Sequence, residues 1–250
     1  MIEVFDPDAV ARAVFVRAQR HKALDEPRHA WRRASLIHVS EGVLTVSTDA
    51  GRWVVPPRHA MWVAPGVLHC VRSSGAACLH TLYADPDAAP AAVQCGVVTC
   101  DRLTEELLAA VAGLAVPYPP DGREARLVGV LLDRLPDLAA APLGLRQPGD
   151  PRIVRIADAL SANPAEQSVL DDLAEAAGVT ARTAARLFVK ETGQTFGQWR
   201  QQLRLLAALE RLATGASVTQ VALEVGYNDV SSFIAVFKDA LGETPARYFR

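Results

Sequence analysis

Through the first hundred residues, apolar positions fall in short runs broken by turn residues. Residues 35–39, 43–47, 53–55, 60–63, 68–71 and 77–83 read as strands. Between them stand Glu41-Gly42, Asp49-Ala50-Gly51, Pro56-Pro57, Pro65-Gly66 and Ser73-Ser74-Gly75, the residue types that tight connections require. Strands this short and this evenly spaced predict an antiparallel sandwich or small barrel over residues 1–100.

The period changes at Asp101. Leu103, Leu107, Leu108, Val111 and Leu114 recur at helical spacing, with Asp101, Thr104, Glu105 and Glu106 enriching the first turn. A second helix is expected over residues 124–135, with Leu127, Val130, Leu131 and Leu135 on one face. Pro117, Pro119, Pro120 and Gly122 break the chain between them. Two amphipathic helices at 101–138 can pack on the barrel or mate with a second chain, and a dimer seam is the expectation. Residues 139–150, with Pro142, Gly144, Pro148 and Gly149 and no periodicity, read as an interdomain linker. Asp150 then caps a helix opened by Pro151, and residues 151–250 are nearly all helical.

Within that half one pattern occurs twice. Ser168 is the expected cap of a helix with Leu170, Leu173, Ala174 and Ala177 inward. Gly178 and Val179 form its turn, and Thr180 caps the next helix, 181–191, with Leu187 and Phe188 inward. A small Ala174 lets two helices approach, and Gly178 supplies the backbone freedom of the tight turn. Ala174-x-x-x-Gly178 alone fits an ordinary helical hairpin as well as a helix-turn-helix. It recurs, however, as Ala222-x-x-x-Gly226. Val221 and Val225 point inward there, Asn228 or Asp229 caps a helix over 230–240, and Phe233 and Phe237 form its inner face. A single long amphipathic helix, 196–213, separates the two units. Tandem helix-turn-helix units predict two reading heads for successive major-groove segments of double-stranded DNA.

Composition changes this picture little. The 250 residues are half hydrophobic and 22% charged, enough apolar material for two buried cores. The net charge of -2 does not announce a DNA-binding protein, and residues 151–250 carry 11 basic against 11 acidic side chains, so any basic surface must come from arrangement. There is no apolar run of membrane-spanning length and no leader, Met1 being followed by Glu3 and Asp6; a soluble, cytoplasmic chain is expected. Cys70, Cys78, Cys95 and Cys100 form no CxxC pair, so reduced thiols are the default.

Residues 168–250 resemble the DNA-binding domain of the AraC/XylS family of transcription regulators. The matching residues are Leu173-Ala174, Gly178-Val179, Arg182, Arg186-Leu187-Phe188, Thr192-Gly193, Arg204, Ala207, Val221-Ala222, Gly226-Tyr227, Ser232-Phe233, Phe237-Lys238, Gly242, Thr244-Pro245 and Tyr248. On the first recognition helix Arg182 is the candidate base reader, with Arg186 one turn on, Thr180, Ala181 and Ala185 lining the groove and Lys190 on phosphate. The second departs from the family. Ala235 stands where a basic residue is frequent, and Asn228, Ser231, Ser232 and Lys238 are its polar candidates.

Residues 28–83 resemble the cupin-like barrel that often precedes this domain. Pro27-Arg28-His29, Ser40-Glu41-Gly42-Val43-Leu44, Gly51-x-Trp53-x-Val55-Pro56-Pro57, Ala60-x-Trp62-Val63-x-Pro65-Gly66-x-x-His69 and Thr81-Leu82-Tyr83 carry the likeness. The expected fold is therefore α+β: a small cupin-like barrel, two helices, and an all-α double helix-turn-helix domain. Metal-holding cupins present two histidines one residue apart, a carboxylate or amide, and a later histidine. Here His29 and His69 fill two of those positions, while Trp31 and Ser35 stand at the others. Three readings stay open. An eroded pocket lined by His29, Trp31, Trp53, Trp62, His69 and His80 can bind a small organic effector with no cofactor. His29, His69, Cys78 and His80 can form a rearranged metal or thiol site. Or these side chains simply pack the barrel.

The leading expectation is a non-enzymatic, effector-responsive transcription regulator acting as a homodimer on DNA and on RNA polymerase. A cupin enzyme with a DNA-binding tail and an architectural DNA-binding protein without a ligand are the alternatives.

Overall fold

A computed structural model describes residues 5–89 and 95–249; Met1 and Glu3, read above for the lack of a leader, lie outside them. The chain divides into two units. Residues Met1–Asp49 and Trp53–Leu143 form the first, and Ala50–Arg52 with Gly144–Arg250 the second.

The first unit is built on β1 (Val14–His21), β2 (Ala34–Glu41), β3 (Leu44–Thr48), β4 (Gly51–Val55), β5 (His59–Val63), β6 (His69–Ser73), β7 (Ala77–Ala84) and β8 (Gly96–Thr99). The larger sheet has the order β1-β7-β2-β5-β8, every pair antiparallel. In the second sheet β6 pairs antiparallel with β3, and β4 follows. The six strands expected from the sequence are present. Two were missed, β1 and β8. After Val14-Phe15-Val16, β1 alternates Arg17, Gln19 and His21 with Ala18 and Arg20, so it lacks the apolar signature of a strand.

Alternation assigns every side chain of the larger sheet to one of two faces. Val14, Val16, Ala34, Leu36, Ala60, Trp62, Leu82 and Ala84 share one face and form a continuous core with the following helices. These are α1 (Arg102–Ala112) and α2 (Arg123–Arg134), which contribute Leu107, Leu108, Val111, Val128 and Leu131. Fully burying side chains such as Leu108 and Leu131 stabilises the unit by roughly 1.5–3 kcal/mol each. Asp101 caps α1 by accepting from the Thr104 N–H at 2.8 Å. Of the two uses the sequence left to this helical pair, packing on the barrel is what consumes the buried faces. The other sheet face carries Arg17, Gln19, Ser35, Ile37, Leu79, Thr81 and Tyr83 and looks onto a cavity.

The expected linker holds structure. β9 (Gly144–Arg146) lies inside it, with Leu145 buried. The Trp199 indole N–H donates to the Arg146 carbonyl at 3.0 Å, and Glu191 accepts from the N–H groups of Gly149 and Asp150 at 2.8 and 2.9 Å. A three-residue strand among prolines and glycines leaves no periodic signal, which is why it read as a tether.

Among the described residues seven helices follow: α3 (Pro151–Ala162), α4 (Leu170–Ala176), α5 (Ala181–Thr192), α6 (Phe196–Ala213), α7 (Val218–Glu224), α8 (Val230–Leu241) and α9 (Pro245–Tyr248). Asp150, Thr180 and Asp229 cap α3, α5 and α8, and Thr195 with Gln198 forms a capping box on α6. Ser168 does not cap α4. Its N–H and hydroxyl both turn back to Glu166 at 2.9 and 2.7 Å, leaving Val169 at the cap position without a side-chain bond. Phe188 and Trp199, 5.6 Å apart, fill the first helix-turn-helix core, and Phe233 and Phe237, 5.9 Å apart, fill the second.

Candidate nucleic-acid interface and ligand pocket

Helix α5 forms because Ala184, Leu187 and Phe188 bury one stripe while Arg182, Arg186, Val189 and Lys190 remain exposed. Arg182, Arg186 and Lys190 stand at i, i+4 and i+8, so three cations share one solvent-facing row. Among the described residues no ion pair engages any of them, in contrast to Arg152 with Asp150 and Arg211 with Glu224. Ala181 and Ala185 are half-buried beside the row, and Thr180 spends its side-chain oxygen on the Thr183 N–H.

Helix α8 offers less. Ser231, Ala235 and Lys238 are exposed, as is Asn228 ahead of the helix. The Ser232 hydroxyl is already donated to Asp229 at 2.6 Å, which removes it as a free donor. Asp239 follows Lys238 directly in the chain, and at the helix start the Asp229 carboxyl is held below its usual range first by its bond to Ser232. An anion at the start of α8 favours the helix dipole and disfavours a phosphate.

Arg204, one of the residues that carried the family resemblance, faces inward. Its guanidinium donates to the carbonyls of Pro164 and Glu166 at 3.0 and 2.9 Å and lies over the Tyr227 ring. Gly226, at φ +90°, packs against it: a Cβ there would stand 2.7 Å from an Arg204 nitrogen and 2.9 Å from Ala165. Gly178 also has positive φ, +69°, but meets open space. One turn is fixed by conformation alone, the other by conformation and contact.

The cavity in the first unit has a volume of about 460 Å³, within the range of small-molecule sites. His29 and His69 meet in it. Their backbones exchange two hydrogen bonds at 2.8 and 2.9 Å, and their rings stand 4.4 Å apart. Each Nδ1 bonds a carbonyl, Pro27 or Val67, at 2.8 Å. Carbonyls only accept, so Nδ1 carries a proton in both rings, and in a neutral ring Nε2 is then the acceptor. Burial pushes the His69 pKa down, keeping it neutral. Glu26 lies 3.8 Å from the His29 Nε2. Elsewhere on the wall the Arg17 guanidinium sits 4.0 Å over Phe5, and Tyr83 stacks on Phe15 at 5.2 Å. Burial raises the Tyr83 pKa to about 12, so it stays a phenol.

Of the expected pocket residues, His29, Trp31 and His69 line the cavity; Trp53, Trp62 and His80 do not. Trp62 sits in the core under α1 and α2. His80 occupies that same sheet face, stacked on His38 at 6.0 Å, and Cys78 shares its parity, accepting from Arg20 at 3.1 Å. The set His29, His69, Cys78 and His80 is thus split between two faces of β7 and cannot converge on one ion. Among the described residues no cluster of three or more His, Cys, Asp or Glu is arranged to hold a metal. Sequence reasoning missed Arg17, Gln19 and His21 because it missed β1, and it did not single out Thr81 on the expected strand β7 or Glu26 in the loop after β1. The spacing of Arg17, Gln19 and His21, every second residue, was the available signal.

Comparison with known proteins assigns both units. Residues 13–112 match the AraC-like ligand binding domain, and residues 173–250 match a helix-turn-helix domain. The HTH-type transcriptional regulator NimR of Escherichia coli is 35% identical over 231 residues, covering 91% of this chain and 85% of that protein. The chain belongs to the AraC family of transcription regulators. It is a DNA-binding regulator with an N-terminal ligand-binding domain and a C-terminal helix-turn-helix domain. The RipA regulator of Corynebacterium glutamicum is 34% identical over 156 residues, 62% of this chain and 43% of that protein. Among solved structures, ToxT of Vibrio cholerae with a bound unsaturated fatty acid aligns over 94% of both chains at 10% identity and a TM-score of 0.40, too distant to inform the pocket. The matched AraC-family ligand-binding segment contains β1 to β8 and α1, hence the strands and histidines of the cavity. The matched helix-turn-helix segment contains α5 and α8. Among the described residues no helix is long and apolar enough to cross a membrane.

Proposed function

We propose that this regulator reads its DNA site chiefly through α5 and positions itself through α8. The observation that carries this reading is the exposed row Arg182, Arg186 and Lys190, with no ion pair among the described residues, set against a second helix that carries a single cation, Lys238. Arg182, nearest the helix start, takes a base edge, with Ala181 and Ala185 allowing close approach to the groove. Arg186 and Lys190 take phosphates. Ser231 and Asn228 add polar contacts, and Lys238 a phosphate. The regulator works in the cytoplasm as a homodimer that contacts RNA polymerase, and the cavity around His29, Trp31 and His69 is the effector site.

Site selection from random duplexes with the full-length protein tests this. Arg182→Ala should relax preference at a single base position, whereas Ser231→Ala should weaken all sequences alike. Equal losses from the two variants, each confined to one base position, would contradict the division of labour.

A further inference from the structure

The cavity walls differ in what they offer a ligand, and this difference sets the ligand's chemistry, provided the cavity is the effector site. One wall accepts hydrogen bonds. Backbone carbonyls hold the Nδ1 proton of both His29 and His69, which makes Nε2 the acceptor of each neutral ring, and the Glu26 carboxylate lies 3.8 Å from the His29 Nε2. Asp25, also on the wall, is spent on Arg72 at 2.8 Å. The other charged wall is Arg17 on β1, facing Thr81 across the sheet. No ion pair joins Arg17 to Glu26 or to another carboxylate among the described residues; its guanidinium lies against Phe5. Among the described residues, two opposite charges therefore share one cavity with no ion pair between them. Beside these charges and the polar Gln19, His21, Ser35 and Thr81, the lining carries an apolar and aromatic set: Trp31, Ile37, Val71, Leu79 and Tyr83.

A simple carboxylic acid would satisfy Arg17 but bring its charge into the field of Glu26 and leave the imidazole acceptors unmet. A simple amine would meet those acceptors but share the cavity with the Arg17 cation. Only a molecule with both groups satisfies both walls, since charge-assisted hydrogen bonds dominate recognition in a partly dry site. We propose that the pocket binds an amphoteric small molecule of the amino-acid type, its ammonium held by Glu26, His29 and His69, its carboxylate by Arg17, and its apolar side chain by the aromatic wall.

Isothermal titration calorimetry on the full-length protein tests this. The twenty amino acids are compared with the amine and the acid bearing the same side chain; phenylalanine, phenethylamine and 3-phenylpropanoate are one such triplet. At least one amino acid should bind about tenfold or more tightly than both counterparts. Arg17→Gln should abolish its advantage over the amine, and Arg17→Lys should restore part of it. Glu26→Gln should abolish its advantage over the acid. An amine or acid that binds as tightly as its amino acid overturns the proposal. So does an advantage that survives both the Arg17→Gln and Glu26→Gln changes in folded protein, judged by circular dichroism, and so does an absence of binding by every amino acid. Ser35→Trp, which fills the cavity, separates the two levels. A ligand of the wrong class lost in that variant leaves the effector site in place while the amphoteric reading fails, and binding that persists there removes the effector site as well.

Discussion

The two units of this regulator handle polar chemistry in opposite ways. All six histidines belong to the first unit, where His38, His59 and His69 are buried. Its Arg33 is buried too, donating to the carbonyls of Val10 and Arg12 at 2.8 and 2.6 Å and paired with Asp85 at 3.2 Å. The second unit has no histidine and keeps Arg182, Arg186 and Lys190 in solvent. A ligand that must be surrounded calls for titratable groups folded inward, each with a partner or a depressed pKa. A ligand as large and as charged as DNA calls for cations that remain hydrated until contact.

Acid should break this contrast most strongly. Burial lowers the His38 pKa from 6.5 to about 4, despite Glu105 at 3.2 Å, and His59, His69 and His80 move in the same direction for the same reason. Below pH 6.5 these histidines protonate in the unfolded chain but resist protonation in the folded one. The stability they contribute is whole above pH 6.5 and is lost as the pH falls towards 4, by roughly 3 kcal/mol for His38. Hydrogen exchange at pH 7 and pH 5 should show β2, β5 and β7 losing protection while α5 and α6 keep theirs. Equal loss in both units would remove the contrast.

Next in size is the pair of turns inside the second unit. Gly226→Ala must accommodate both a positive φ and the Arg204 contact, and should cost about 2–4 kcal/mol. Gly178→Ala meets only the backbone penalty, about 1 kcal/mol. Chemical denaturation of the two variants checks the order. Arg182→Ala should leave stability unchanged and cost about 1–3 kcal/mol of affinity for the selected DNA site. Lys238→Ala should be the smallest, a uniform loss across sequences with the salt dependence of binding reduced by about one ion. Fluorescence anisotropy at several salt concentrations separates these two.

The helix-turn-helix half was legible because its information is local. Caps, inward apolar residues and turn glycines lie within four residues of one another, so the repeat Ala174 to Gly178 and Ala222 to Gly226 shows in the chain. Ser168 failed as a cap because Glu166 competes for the same hydroxyl and amide, a choice that spacing does not encode. The pocket was legible only at His29, Trp31 and His69. Trp62 and His80 were placed in it because they are the right kinds of residue, yet strand parity sends both to the opposite sheet face, Trp62 under α1 and α2 and His80 beside His38. The metal set fell with them.

Sequence by itself determined the two helix-turn-helix units, the six strands with apolar runs, and the family, because each rests on residues close in the chain whose propensities agree. Tertiary structure decided which sheet face became the cavity, that Arg17 of an unrecognised strand lines it, that the 101–138 helices cover the opposite face, and that the supposed linker is held by Trp199 and Glu191. Those outcomes depend on register between strands distant in sequence. A side chain's face is fixed only when its strand finds its neighbours.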